Sequence, residues 1–392
     1  MIKIAFIKFG GLAAGGTEKG LQTIAANLPK DRFEVDYYYC DAAPYIGSDW
    51  KHPDTDPSRK KYLEDAGVNL IKFFVSFKNI TTPTHDWVNT NFWEKFDESK
   101  YDIIQSARAG HPEYPFININ KTPLVDLVTL PGMAENKANS EVVIHISEFQ
   151  AQTWINAGGL RHKVKVIPVL TDFPKSSVQS NLRENLGIKP CTFVFGFHQR
   201  VDDGIFSSVP LEAYSHLEKE LGNDVAFLIM GGSKLYQNQI VQLGLKSAYQ
   251  IVHSGNYDDI QKFLNTCNVF AHGRSDGETY GMAIAEAMRS GLPIVSHVAP
   301  AMGHVETIGD AGIVVNSIEE YKAEMFKLIS DNKHYNYRKT NAIERFAKHL
   351  SLESNIQKYI EIYEDIYNRY HSVIKEEWLD EWMTNDEDTK EI

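Results

Sequence analysis

The run Asp276-Gly-Glu-Thr-Tyr-Gly-Met-Ala-Ile-Ala-Glu286-Ala-Met-Arg-Ser-Gly-Leu-Pro-Ile-Val295 decides the fold of this 392-residue chain. It follows Asn268-Val-Phe-Ala-His272, a short apolar run that reads as a buried strand. A helix of small residues opens near Gly281, and Ser290-Gly-Leu-Pro-Ile-Val-Ser296 reads as helix stop, tight turn and second buried strand. Strand, loop, helix and strand in this order make the repeating unit of a parallel α/β sheet.

Two carboxylates punctuate the unit. Glu278 precedes the helix and Glu286 lies about two turns into it, with seven residues between them. A helix start carries unsatisfied N–H groups and a partial positive charge, so it holds a phosphate without needing a lysine. Gly281, Ala283, Ala285 and Ala287 let a bulky ligand approach the backbone. A carboxylate before the helix can accept hydrogen bonds from neutral hydroxyls, and one further along from a vicinal diol. Phosphate, sugar hydroxyls and ribose diol together describe a nucleoside diphosphate sugar. Taken alone, the pair is equally compatible with a capped amphipathic helix.

Outward from this unit the alternation continues. Before it come the strand Thr192-Phe-Val-Phe-Gly196, the helix Leu211–Leu221, the strand Val225–Met230 ending at Gly231-Gly232, the strand Tyr249–His253 and the helix Asp258–Asn265. After it, Gly303-His-Val-Glu306 and Gly312-Ile-Val-Val315 supply a turn and a strand. The first half has its own series: strand Ile2–Lys8, helix Thr17–Leu28, strand Phe33–Tyr39, a loop over 42–60, then strands Asp102–Ile104, Pro123–Val128 and Val142–Ile146. Helix Glu148–Ala157 and strand Val164–Pro168 close it. Residues 353–382 place apolar groups at three- and four-residue intervals from Ile356 to Trp378, which is a long amphipathic helix. The reading is therefore two Rossmann-like domains, 1–172 and 173–352, with a linker near 172–190 and a terminal helix and acidic tail over 353–392.

The glutamate spacing, the glycine between them and the following Gly-Leu-Pro strand together resemble the donor half of the retaining glycosyltransferases of family 4, which have the GT-B fold. The resemblance implies parallel sheets facing across a cleft, with an acceptor-binding first domain, a donor-binding second domain and a terminal helix crossing back to the first. It implies transfer of a hexosyl unit from a UDP- or GDP-linked sugar to a glycan or other hydroxyl acceptor, with retention and without metal. Glu278 would meet the sugar hydroxyls and Glu286 the ribose diol. Thr279, Tyr280, Gly281, Met282 and Ala283 would line the diphosphate. The family carries an arginine in the loop after the second domain's first strand, and Arg200 in His198-Gln-Arg-Val-Asp-Asp-Gly-Ile205 matches it. The lysine expected five residues on is Ile205. Arg200 and Glu278 are thus the catalytic candidates, although Arg200 paired with Asp202 or Asp203 would be an ordinary surface residue.

In the first domain, Phe9-Gly-Gly-Leu-Ala-Ala-Gly-Gly16 is neither a dinucleotide fingerprint nor a P-loop, since Leu12 or Ala13 breaks the first pattern and Gly16 takes the lysine position of the second. Gly15-Gly16 instead looks like the family's first loop, beside the donor phosphates. Gln105-Ser-Ala-Arg108-Ala-Gly-His111 reads as a loop opening toward the cleft, with Arg108 and His111 as candidate contacts or as plain loop residues. The family's histidine after the next strand falls near Pro131 and does not carry over. Tyr45, Trp87, Phe92 and Trp93 are candidate sugar platforms or core residues.

Composition sets the outer bounds. Apolar residues make 43% and charged residues 23% of the chain, as in globular proteins. The formal net charge of −12 disfavours nucleic acid as a partner, and half of it sits in residues 371–392, where eight acids meet two lysines. No stretch is long enough to span a bilayer, and no polybasic stripe marks a lipid surface, so membrane contact would be peripheral. Met1–Phe9 is too short and alternating for a signal peptide. Cys40, Cys191 and Cys267 are odd in number and far apart, which points to reduced thiols and a cytoplasmic protein, and no spacing suggests a metal. Two alternatives stay open: a catalytically silent GT-B module that binds glycans or partner chains, and a nucleotide-sugar epimerase.

Overall fold

The computed structural model describes residues 1–13, 15–41, 54–77, 88–108, 116–130, 132, 134–170, 180–252 and 257–385, with backbone alone for 116 and 373–385. The chain divides into two compact units, one of Met1–His145, Thr153–Ile167 and the chain from Ile356, the other of Ile146–Gln152 and Pro168–Asn355.

In the first unit, β1 (Ile2–Ile7), α1 (Gly16–Asn27), β2 (Phe33–Cys40), α2 (Pro57–Asp65) and β3 (Asn69–Phe73) are followed by an antiparallel hairpin of β4 (Val75–Phe77) and β5 (Val88–Thr90) and the short α3 (Phe92–Lys95). β6 (Ile103–Arg108), β7 (Leu124–Val128), β8 (Ser140–His145) and β9 (Val164–Val166) come next, and of α4 (Glu148–Asn156), which lies between β8 and β9 in sequence, the residues up to Gln152 belong to the second unit and those from Thr153 to the first. The seven sheet strands run parallel in the order β3-β2-β1-β6-β7-β8-β9. Every residue of β6 and β7 is buried, as a parallel sheet covered on both faces requires.

Two expectations for this unit are corrected. β6 continues to Arg108, so Gln105-Ser-Ala-Arg108 is strand and not an opening loop. These polar residues stay in the sheet because each finds an internal partner. Gln105 Oε1 accepts from Tyr363, Ser106 donates to Asp126, and Arg108 Nε lies 2.5 Å from Asp126 Oδ2. The loop read over 42–60 gives way at Pro57 to α2, because Asp56 caps its start by accepting from Ser58 N at 2.7 Å with proline in the first turn. Residues 42–53 lie outside the described residues, as do Trp87, His111, Pro131, His253 and residues 172–179 of the linker; Tyr45 falls in the first of these stretches.

In the second unit, α5 (Leu182–Asn185), β10 (Phe193–Gln199), α6 (Val209–Leu221), β11 (Val225–Gly231), α7 (Leu235–Leu243), β12 (Ala248–Ile251), α8 (Tyr257–Thr266) and β13 (Val269–Ala271) lead into the glutamate run. There β14 (Gly277–Glu278) and α9 (Met282–Arg289) precede β15 (Ile294–His297), β16 (Ala301–Met302), α10 (Gly303–Ile308), β17 (Gly312–Val315), α11 (Ile318–Ser330) and α12 (Asn332–Arg345). Six parallel strands stand in the order β12-β11-β10-β13-β15-β17. The turn expected at Gly303–Glu306 is instead the first part of α10. Two Rossmann-like units are thus observed.

α13 (Leu352–Asn385) is 34 residues long and belongs to the first unit from Ile356 onward. Tyr359, Tyr363 and Ile366 are buried along one stripe, and the Tyr363 hydroxyl donates to Gln105 Oε1 at 2.6 Å. Arg32 and Glu364 add an ion pair at 2.7 Å.

Candidate functional site

Parallel strands deliver side chains to their carboxyl ends, and in the second unit three neighbouring strands, β10, β13 and β15, do so together. They bring His198, His272 with Arg274, and Ser296 with His297 to one edge of the sheet. The glutamate run grows from the middle strand, β13.

Glu278 is aimed by a small piece of backbone pairing. β14 lies parallel to β16, with Gly277 opposite Ala301 and Glu278 opposite Met302. Gly277 has φ 78°, and a Cβ there would stand 2.0 Å from the Ala301 carbonyl oxygen, so no other residue fits. The next carbonyls are tied back: Thr279 O accepts from Ser147 Oγ at 2.6 Å, and Tyr280 O from Thr307 Oγ1 at 2.6 Å. Gly281, at φ 93°, then turns the chain into α9, where Ile284 N and Ala285 N both donate to its carbonyl at 3.1 Å. The earlier amides, of Met282 and Ala283, precede the first intrahelical hydrogen bond. Met282 and Ala283 are half-buried, while Tyr280 is buried with no hydrogen-bond partner for its hydroxyl among the described residues.

The Glu278 side chain is 20% exposed, with Oε1 at 3.3 Å from Arg274 Nη1 and 3.7 Å from His272 Nε2. Burial alone would lift its pKa, but the His272 contact and the Arg274 charge hold it below the usual carboxylate range. Arg274 is itself held by Asp276, with Nε at 2.8 Å and Nη2 at 2.6 Å from the two carboxylate oxygens. His272 is oriented from behind by Ser296 Oγ, 2.8 Å from Nδ1. His297 Nδ1 lies 2.8 Å from the Val298 carbonyl, which accepts, so Nδ1 carries the hydrogen. Burial pushes the His297 pKa down, and Nε2 of this neutral ring then accepts from Ser207 Oγ at 2.8 Å.

Glu286 is nearly buried, its side chain 7% exposed, with Oε2 3.0 Å from His198 Nε2. On the same helix, Arg289 donates to the Tyr257 hydroxyl at 2.7 Å. A further carboxylate, Glu306 of α10, accepts from the backbone N–H groups of Glu148 and Phe149, both at 2.7 Å, and so caps the start of α4 within the second unit.

Glu278, Thr279, Tyr280, Gly281, Met282 and Ala283 lie at the start of α9, and Glu286 lies in the middle of the same helix. Arg200 stands apart in character. Its side chain is 66% exposed, and its Nη2 pairs with Asp202 at 2.8 Å, the ordinary surface arrangement. Arg274, 14% exposed, is the cation beside Glu278. Gly15 caps α1 and Gly16 begins it, in the first unit. Arg108, also in the first unit, is buried against Asp126, which corrects its reading as a cleft-facing loop residue. Phe92 is fully buried in the aromatic core, whereas Trp93 is 42% exposed. The sequence reading passed over Arg274 and His272, although both flank the quoted run, and over His198, whose strand is buried on both faces and shows no alternation.

No helix among the described residues is long and apolar enough to cross a membrane. Residues 179–345 match the family model described as glycosyl transferases group 1. No curated protein sequence matches the chain. Among solved structures, Alr3699/HepE of Anabaena, in complex with UDP and glucose, is similar at a TM-score of 0.68 and 21% identity, covering 92% of this chain and 99% of its own. A glycosyltransferase from Rickettsia africae ESF-5 aligns at a TM-score of 0.70 and 15% identity, over 93% of this chain and 98% of its own. Sucrose-phosphate synthase (tll1590) of Thermosynechococcus elongatus gives a TM-score of 0.70 and 12% identity, over 94% and 100%. These likenesses, over nearly the whole length, show the GT-B fold.

Proposed function

We propose that this chain, which carries a glycosyl transferases group 1 domain over residues 179–345, moves a glycosyl unit from a UDP- or GDP-linked sugar to a hydroxyl acceptor, with retention at the anomeric carbon. The observation that carries the reading is the placement of two carboxylates, Glu278 before and Glu286 within α9, around a helix start opened by Gly281. The start of α9 takes the diphosphate, Glu278 the sugar hydroxyls and Glu286 the ribose diol. The HepE complexes with UDP-glucose support UDP as the first base to test.

The chemistry follows from charge. As the bond from the anomeric carbon to the diphosphate oxygen breaks, negative charge builds on the leaving group, and preorganised donors at that point lower the barrier most. The amides of Met282 and Ala283 supply such donors, so the reaction needs no divalent cation. Glu278, held ionised by Arg274 and His272, is a poor general acid, which argues against a glycosidase pair. The acceptor hydroxyl gives its proton to the departing diphosphate oxygen and bonds to the anomeric carbon on the same face. Arg200, with its freedom at the surface, joins this site only by leaving Asp202.

The test is a thermal-shift screen of UDP- and GDP-linked sugars, followed by donor hydrolysis in EDTA and assignment of the product anomer by NMR. Stabilisation by one donor, metal-free hydrolysis and retained configuration are expected; no response to any donor sinks the reading. The pairing of Arg200 with Asp202 and the apolar Ile205 favour one other reading, a GT-B module that binds glycans without catalysis. Hydrolysis of any donor excludes it.

A further inference from the structure

Resting on the reading of Glu278 as acceptor of the donor sugar's hydroxyls, we propose that His272 is a second residue in contact with that sugar, its Nε2 and Oε1 of Glu278 together gripping one hydroxyl. The other polar atoms of His272 are engaged within the protein. Its backbone N–H donates to the Val295 carbonyl at 2.8 Å, its own carbonyl accepts from the Tyr321 hydroxyl at 3.0 Å, and Nδ1 lies 2.8 Å from Ser296 Oγ. Nε2 is buried and has no hydrogen-bond partner among the described residues. A buried polar atom left in this way costs free energy that a bound ligand recovers.

Nε2 stands 3.7 Å from Glu278 Oε1, beyond hydrogen-bond reach. A nitrogen lone pair facing an ionised carboxylate would be repelled, so Nε2 carries the hydrogen and Nδ1 accepts from Ser296 Oγ. A donor and an acceptor thus stand side by side, and a single oxygen can lie about 2.8 Å from both. That oxygen must accept from Nε2–H and donate to Oε1, which a sugar hydroxyl does and an ether or carbonyl oxygen does not. The ring is the fixed partner, with His304 at 5.7 Å and Phe270 at 6.4 Å between centroids. Glu278 is the more open one, 20% exposed against 6%, and a small turn of its side chain admits the hydroxyl to Nε2. A donor lacking that hydroxyl leaves both groups unpaired, which makes His272 a determinant of sugar specificity.

Calorimetry tests this with UDP-glucose and GDP-mannose, each beside its analogues lacking one sugar hydroxyl, on the wild type, His272→Phe and His272→Gln. In the wild type one analogue should bind about 10–100-fold more weakly than its parent, the factor expected when a hydroxyl shared with a charged group is lost. His272→Phe keeps a ring and removes the donor, so the parent should weaken about tenfold while that analogue changes little, and the gap between them narrows. His272→Gln, whose amide nitrogen reaches the place of Nε2, should restore part of the gap. A merely structural histidine would weaken parent and analogue alike. If His272→Phe fails to fold, His272→Asn carries the same comparison, since its short amide can keep the Ser296 contact but does not reach the place of Nε2. A gap unchanged in these variants overturns the role of His272 and leaves that of Glu278 standing. A wild type that binds a parent donor but shows no gap for any analogue overturns the shared grip and leaves nucleotide binding untouched. A wild type that binds neither parent sinks the glycosyl-transfer reading, and this proposal with it.

Discussion

Arg274 reaches four residues forward along the chain to set its Nη1 3.3 Å from Oε1 of Glu278, while its other nitrogens hold Asp276. Burial works to protonate Glu278, whereas the His272 contact and the Arg274 charge keep it ionised, and the latter prevail. Its folded pKa lies below the unfolded one, so its contribution is present above the unfolded value and is lost as pH falls through the folded value. Arg274→Ala removes one of the two opposing partners, leaving His272 against burial and Asp276. The acid limb of donor hydrolysis should therefore move to higher pH, while Arg274→Lys, which keeps the charge, should move it less. A pH–rate profile whose acid limb stays in place in Arg274→Ala contradicts this account.

The two glutamates should separate kinetically. Glu278→Gln removes a charge that matters as the glycosidic bond stretches, and turnover should fall by about 10²-fold with nucleotide affinity nearly unchanged. Glu286→Ala should weaken nucleotide binding by about tenfold, the factor lost with one charged hydrogen bond. Single-turnover rates and calorimetry with UDP and GDP read the two quantities apart. Equal and small effects of both changes would reject the assignment.

Much of this architecture was legible because parallel strands buried on both faces appear as unbroken apolar runs, and glycine and proline mark their turns. Legibility failed where tertiary partners replaced local signals. Gln105, Ser106 and Arg108 look like a loop, yet Tyr363 and Asp126, distant in sequence, satisfy them within β6. The β14–β16 pair spans two residues on each side, too few for any periodicity. Arg200 and Arg274 each stand two residues before an aspartate, so local sequence could not rank them. Exposure does, at 66% against 14%.

Gly277→Ala tests whether that two-residue pairing aims Glu278. The new Cβ would meet the Ala301 carbonyl oxygen at 2.0 Å, and the backbone would be held at φ 78°. Strain of about 1–3 kcal/mol and a broken β14–β16 pair should follow, with donor hydrolysis largely lost. Gly187→Ala is the control, since at φ 66° it is also strained but meets nothing within 4 Å. It should lower the melting temperature and leave hydrolysis intact. Equal hydrolysis by both variants would show that the pairing does not position Glu278.

Glu306 offers a stability test away from the carboxylate pair. Its oxygens cap the N–H groups of Glu148 and Phe149 at the start of α4. Loss of such a cap costs about 1–2 kcal/mol, so Glu306→Ala should lower the melting temperature by about 2–8 °C. Glu306→Gln keeps one oxygen and should recover part of the loss. An Ala variant that melts with the wild type would mean that water replaces the cap without cost.

Acid should destabilise the protein well above the carboxylate range. Burial pushes His145 and His304 down from 6.5 to about 4 each, and the His272 ring adds to the effect on His304. Below pH 6.5 the unfolded chain takes up protons at these rings and the folded chain does not, so stability falls with pH and levels off near 4. Each histidine accounts for about 2–4 kcal/mol over that interval. Urea midpoints should drop between pH 7.5 and pH 5, and the drop should shrink in His304→Asn, which cannot titrate there. A slope unchanged by the substitution would place the acid sensitivity in other groups and leave the buried ring at His304 without energetic consequence.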